Sequence, residues 1–198
     1  MLKAVSFPDK TLTIPIIQGG MGVGISLSSL AGHVMKEGGM GVISAAHPGY
    51  ARADFRSDSV AANCKSIIDE CAKARKIAQG KGMLGVNIMV ASTDYDRYVQ
   101  AAIEAGVDAI ISGAGLPLHL PALAKDSGVL LAPIVSSKRA AQLILRSWDK
   151  HYQTCPDFIV IEGCEAGGHL GFRKEELLSN TCQPLEEIVT EVLSLLPS

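Results

Sequence analysis

Six short apolar runs recur along the chain: IPIIQ (14–18), GVISA (41–45), LGVNIMV (84–90), DAIIS (108–112), VLLAPIV (129–135) and DFIVI (157–161). They are nearly continuous in apolar character rather than alternating, which is how strands read when both faces are buried, as in a parallel sheet. Helical patterns lie between them. Residues 25–36 place Ile25, Leu27, Leu30, Ala31, Val34 and Met35 on helical spacing and stop at Gly38-Gly39. Residues 59–79 do the same with Val60, Cys64, Ile67, Ile68, Cys71 and Ile77. DYDRYVQAAIEAG opens on Asp94, a cap candidate, and ends at Gly106. SKRAAQLILRSWDKHY follows Ser136 and Ser137, either of which can cap it. A last helix over about 184–196 opens with Pro184 and buries Leu185, Ile188, Val189, Val192 and Leu196. Strand and helix therefore alternate through six units, the pattern of an α/β fold with a parallel sheet. A long loop, AHPGYARADFRSD (46–58), follows the second run. Two architectures remain open: a doubly wound sheet, or a TIM-type (βα)8 barrel lacking its last two units.

A chain of 198 residues, 47% hydrophobic and 19% charged, can build one substantial core, so a single domain is expected. The net charge of −2 comes with no basic block, which argues against a nucleic-acid partner. No apolar run approaches the roughly 18 residues of a membrane span, and the opening MLKAVSFPDK carries no signal-peptide stretch. A cytoplasmic location with reduced thiols is the expectation. None of the five cysteines forms C-x-x-C, so no zinc site is expected, and Cys64 and Cys71 read as helix packing residues.

QGGMGVG (18–24) sits where a dinucleotide fingerprint would lie, after a strand and before a helix. G-x-G-x-x-G fails in every register, and the second run ends in SAAHPG with no acid for a ribose. The stretch reads instead as a turn that lets backbone approach a flat or anionic ligand. Asn87 interrupts an apolar run, so its amide must find either neighbouring backbone or a ligand at the carboxyl end of the strand. SGAGLP (112–117) and PIVSS (133–137) read as plain turns before helices. EGCEAGGHLGF (162–172) follows the sixth run and presents His169 among four glycines. An imidazole there can act as general acid or base, or sit in a surface loop, and Glu162 and Glu165 could orient it or bind a sugar-like hydroxyl. Of the other histidines, only His47 in the long loop invites a functional reading. No Ser-His-Asp set, P-loop or H-E-x-x-H motif is present.

Together, PIIQGGMGVG, GVNIM and above all EGCEAGGHLG resemble, in order, the motifs of the nitronate monooxygenase family, formerly called 2-nitropropane dioxygenases. That family includes the flavin-dependent enoyl-acyl-carrier-protein reductase II. The resemblance implies an FMN-binding (βα)8 barrel in which Gly20, Met21 and Gly22 pass close to the flavin. Asn87, Glu162, Ala166 and Gly167 would border the cofactor, and His169 would perform acid-base chemistry beside it. The family's common Ala-Pro-Met at the first turn is Gly19-Gly20-Met21 here. Relatives continue after the histidine through two more βα units that hold the FMN phosphate. Residues 1–198 are accordingly expected to form one FMN-binding barrel domain with about six βα units. The implied reaction is oxidation of alkyl nitronates or nitroalkanes with dioxygen. Alternatives are reduction of an enoyl thioester on acyl-carrier protein with NAD(P)H as donor, or an inactive fragment or interaction module lacking the phosphate site. Open strand edges leave a homo-oligomer in play.

Overall fold

A computed structural model describes residues 3–195. The chain opens with an antiparallel hairpin, β1 (Val5–Phe7) and β2 (Lys10–Leu12). Then follow α1 (Ser28–Lys36), β3 (Met40–Ser44), α2 (Ser59–Ala78), β4 (Met83–Met89), α3 (Tyr95–Glu104) and β5 (Ala109–Gly113). The remainder is α4 (Leu120–Leu123), β6 (Leu130–Val135), α5 (Lys138–Tyr152), β7 (Val160–Ile161), α6 (Lys174–Ser179) and α7 (Leu185–Leu193). Strands β3 to β7 form one five-stranded parallel sheet in sequence order.

Two of the expected strands are reduced. Residues 14–18 make a single parallel bridge, Ile17 to Met40, rather than a ladder. Pro15 has no N–H to give, and the Ile16 N–H turns back to the Ile14 carbonyl at 2.7 Å. The 157–161 run keeps only Val160 and Ile161 as strand. The hairpin, α4 and α6 are additions to the expected elements, each too short for a periodic signal. The first helix starts at Ser28 rather than 25, and Asp94 precedes α3 without a side-chain capping bond. Ser137 does cap α5, accepting from the Ala140 N–H at 3.2 Å. Pro184 sits one position before α7, whose buried side includes Ile188 and Val192. Leu196, expected on the same stripe, lies outside the described residues.

The sheet is buried on both faces, as the unbroken apolar runs require. One face packs Ile43, Leu84, Val86, Ile88, Ile110, Leu131 and Val135 against the helices. The other gathers Met40, Val42, Met83, Ala109, Ile111, Leu130 and Ala132 with Leu12 of the hairpin. Phe7 stacks against Phe158 with ring centres 5.7 Å apart. Lys10, at the start of β2, donates to the carbonyls of Asp108 and Gly128, both at 3.2 Å. The hairpin therefore plugs the amino end of the inner face. Asp108 and Asp157 secure that end, each accepting a strand N–H near the start of the preceding strand, from Leu84 and Leu131, at 2.8 Å.

Cys71 is fully buried in the helix layer, and Cys64, half-buried, packs against the same core cluster. Buried Tyr95 on α3 shares a 2.8 Å hydrogen bond with Ser112 of β5. Burial pushes the Cys71 thiol from 9.0 to about 12. Burial likewise pushes the Tyr95 phenol from 10.0 to about 12, although the Ser112 hydrogen bond pulls the other way. In both cases the fold favours the neutral form, so the unfolded chain ionises first as pH rises. Their contribution is complete below about pH 9 and is lost as pH climbs to about 12. The melting temperature should fall through that window, and Tyr95→Phe should reduce the fall. A melting temperature unchanged across it would contradict this linkage.

Candidate functional site

In a parallel sheet all carboxyl ends open on one side, opposite the hairpin plug. The two-residue alternation of a strand decides which side chains face inward there. Met83 belongs to the inner cluster, so Asn87, four residues on, faces inward as well, while Val86 and Ile88 face the helices. Val160 of β7 is also an inner residue, which turns Glu162 toward the same face. Asn87 is half-buried, and among the described residues its amide makes no hydrogen bond to protein and is open to solvent rather than buried.

The glycine-rich turn lies across this end. A Cβ on Gly20 would stand 2.5 Å from the Asn87 Cβ and 2.9 Å from its Cγ, so only glycine fits against that amide. Gly22 approaches Ala46, just past β3, with equal intimacy: its missing Cβ would be 2.7 Å from the Ala46 Cβ. Gln18 and Ser26 hold the turn in place. The Gln18 amide nitrogen donates to the Val42 carbonyl at 3.0 Å and to Ser26 Oγ at 3.1 Å, and its Oε1 accepts from the Val42 N–H at 3.3 Å. Ser26 Oγ accepts from the Met21 N–H at 2.9 Å and donates to the Gly19 carbonyl at 3.2 Å. The Met21 side chain is half-exposed. Sequence reasoning missed both Gln18 and Ser26, which bracket the glycines.

A second group gathers at the ends of β5, β6 and β7 around a cavity of about 440 Å³. Gly115, Ile134, Ser136, Glu162, His169 and Gly171 line it. Glu162 Oε1 accepts the Gly171 N–H at 2.9 Å, and Ser136 Oγ donates to the Gly171 carbonyl at 3.0 Å. One peptide segment is thus clamped from both sides, two residues beyond His169. Ser136, expected to be a plain turn residue, is a clamp for this loop. The His169 ring borders the cavity and remains exposed.

The structure therefore brings Gly20, Gly22 and Asn87 together at the β3–β4 end, and Glu162 and His169 together at the β6–β7 end. Both groups lie on the carboxyl side of one sheet. Ala166 and Gly167 are exposed and do not line the cavity, and Glu165 is exposed beside them. His47 stands apart, its ring edge against Phe55 at 5.8 Å.

Known proteins resemble this chain in sequence and fold. The family described as nitronate monooxygenase matches residues 7–197. No curated protein matches the chain. Among solved structures, FabK from Thermotoga maritima is 28% identical with a TM-score of 0.61, over 84% of this chain and 46% of its own. A nitroalkane oxidase from Streptomyces ansochromogenes superimposes with a TM-score of 0.72 at 17% identity, over 93% of this chain and 56% of its own. The chain thus spans about half the length of these proteins. The second likeness gives the fold: the parallel sheet and its helices are part of a TIM-type α/β barrel.

Proposed function

Because the chain belongs to the nitronate monooxygenase family, a family of flavoprotein oxidoreductases, we propose that residues 1–198 form a flavin-binding domain whose cofactor is FMN and whose substrate is an alkyl nitronate or nitroalkane. One observation carries the reading: the unpartnered Asn87 amide faces inward at the carboxyl end of the sheet, with the backbone of Gly20 laid against it. An amide without a protein partner and a turn kept free of side chain suit a flat, hydrogen-bonding ring. Carboxyl ends of strands are also where barrels of this type place their chemistry.

In this proposal the Gly20–Gly22 backbone and Asn87 hold one side of the flavin ring. Glu162 borders it from the other side, where Ala166 and Gly167, expected from family likeness to do the same, are exposed and outside the cavity lining. FMN, when bound, supplies the redox chemistry, taking up electrons and passing them to dioxygen. Everything else falls to the chain. His169 takes the proton from the carbon beside the nitro group of a neutral nitroalkane, giving the nitronate. Glu162 and Ser136 fix the loop that carries it, and Gln18 and Ser26 fix the turn opposite.

His169→Ala should slow turnover of the neutral nitroalkane by about 100-fold, the usual scale for a lost general base. Turnover of preformed nitronate and the amount of bound flavin should stay close to the parent protein. Equal losses on both substrates would remove His169 from proton transfer. Flavin itself is tested by absorbance of the purified protein and by the molar ratio of released FMN. Colourless protein that takes up no added FMN would favour an inactive fragment or interaction module.

A second reading draws on the 28% identity to FabK: reduction of an enoyl thioester, with NAD(P)H as donor and acyl-carrier protein as a partner. NADH oxidation that depends on an enoyl thioester, without nitronate turnover, would select it over the first.

A further inference from the structure

Asn63 of α2 is a polar residue only 1% exposed. An amide taken out of water is costly unless both of its ends are paired, and here both are. Its Oδ1 accepts the Gly49 N–H at 3.0 Å, and its Nδ2 donates to the Tyr98 hydroxyl of α3 at 3.1 Å. A backbone N–H can only donate, so the amide oxygen must face Gly49. Gly49 also lies close against the helix backbone: its missing Cβ would stand 2.7 Å from the Ala62 carbonyl oxygen. Around this point the chain turns tightly, with the Tyr50 N–H donating to the His47 carbonyl at 3.2 Å. His47 takes a left-handed φ of 52°, which a residue with a side chain keeps only where its surroundings hold it. The two ends of this segment meet the glycine-rich turn. Ala46 meets Gly22, and the Tyr50 ring meets Gly24, whose missing Cβ would be 2.5 Å from its Cε1.

We propose that Asn63 is a positioning residue: it latches the segment 46–50 to α2, and that segment seats the glycine-rich turn at Gly22 and Gly24. Both polar ends of Asn63 are used within the protein, so it acts on a ligand only through this seat. The turn itself is closed by two bonds. The Met21 N–H donates to Ser26 Oγ, and the Ser26 N–H donates to the Met21 carbonyl, both at 2.9 Å. With Ala46 and Tyr50 held, Gly22 and Gly24 have no room to move toward them. With the latch lost, the segment can draw back, and the two closing bonds open more often. The latch is independent of the flavin reading. Its bearing on cofactor binding rests on that reading.

The test is amide hydrogen exchange on the whole, flavin-free chain, comparing the parent with Asn63→Ala. The Gly49, Met21 and Ser26 amides should each exchange about tenfold faster in the variant, the scale of one lost hydrogen bond. Asn63→Asp keeps one oxygen for Gly49 and a second for the Tyr98 hydroxyl, so it should bring these rates back to within about threefold of the parent. Ile144→Val on α5 lowers overall stability without touching the latch, and should leave the same amides at parent rates. If Asn63→Ala folds poorly, Tyr98→Phe is the milder variant: it frees only the far end of the amide and should speed the same amides by about threefold. Faster exchange at Gly49 alone would overturn the proposal. So would an equal rise in Ile144→Val, or Asn63→Asp rates no slower than those of Asn63→Ala. Titration with FMN then separates the two readings. A parent chain that binds FMN should lose about tenfold in affinity in Asn63→Ala, and equal affinity would overturn the positioning role. A parent chain that binds none removes the flavin reading, and the exchange rates alone decide on the latch.

Discussion

Gly41→Ala is expected to cost about 3 kcal/mol of stability, at the upper end for overpacking a core. The reason is a backbone contact with no room to relax. A Cβ on Gly41 of β3 would stand 2.0 Å from the Ala31 carbonyl oxygen of α1 and 2.6 Å from its carbonyl carbon. Backbone atoms cannot rotate away as a side chain can, so α1 would have to move off the sheet. Its other side is already tight: a Cβ on Gly32 would meet the Ile77 Cβ of α2 at 2.7 Å and the Ala74 carbonyl at 3.0 Å. The helix is wedged, and shifting it disturbs both contacts. For a chain of this size the loss corresponds to roughly 6–12 °C in melting temperature. Urea unfolding of the variant measures it, and a loss below about 0.5 kcal/mol would mean that α1 does not sit this close to β3.

Gly20→Ala is expected to weaken flavin binding at least tenfold, about 1.4 kcal/mol, while disturbing the fold far less than Gly41→Ala. The turn is at the surface and can give way, but only by lifting off Asn87 or by turning its amide. Either movement spoils the surface proposed to meet the flavin. Asn87→Gly removes the atoms that clash, so the packing part of the penalty should vanish in the double variant. Fluorescence quenching of titrated FMN would give the affinities, with denaturant midpoints as the control. An unchanged affinity in Gly20→Ala would move the flavin away from this turn.

How far the sequence spoke for the structure depended on how each stretch is stabilised. Runs such as VLLAPIV and LGVNIMV became strands because both faces are buried, and continuous apolar character records that burial directly. The stretch IPIIQ has the same character but lies at the sheet edge with one bridge. Ile14, Ile16 and Ile17 remain exposed, with Val23 and Ile25 nearby. Composition reports what a strand could bury, not whether a neighbour is present to cover it. The hairpin was invisible for another reason. Its strands are three residues each, and it is held by the distant partners Phe158, Asp108 and Gly128.

The candidate site was legible where a residue was out of character for its surroundings. Asn87 in an apolar strand and His169 among glycines are such cases, and the structure places both at the carboxyl side of the sheet. Gln18, Ser26 and Ser136 were not legible because polar residues at strand ends are common. Their importance lies in which backbone groups they reach, and that is a property of three dimensions. Ala166 and Gly167 were carried by family likeness alone, and here they are exposed and outside the cavity lining.

The hairpin at the amino end has a bearing on how this protein tolerates change. Lys10, Asp108, Asp157 and the Phe7–Phe158 pair hold one end of the sheet together, while every candidate chemical group occupies the other. Substitutions at well-separated positions act nearly additively. A chain laid out in this way can accumulate stabilising changes around the plug that offset disruptive ones around the cleft. Variation in chemistry and variation in stability then have separate addresses, and selection can act on one without disturbing the other.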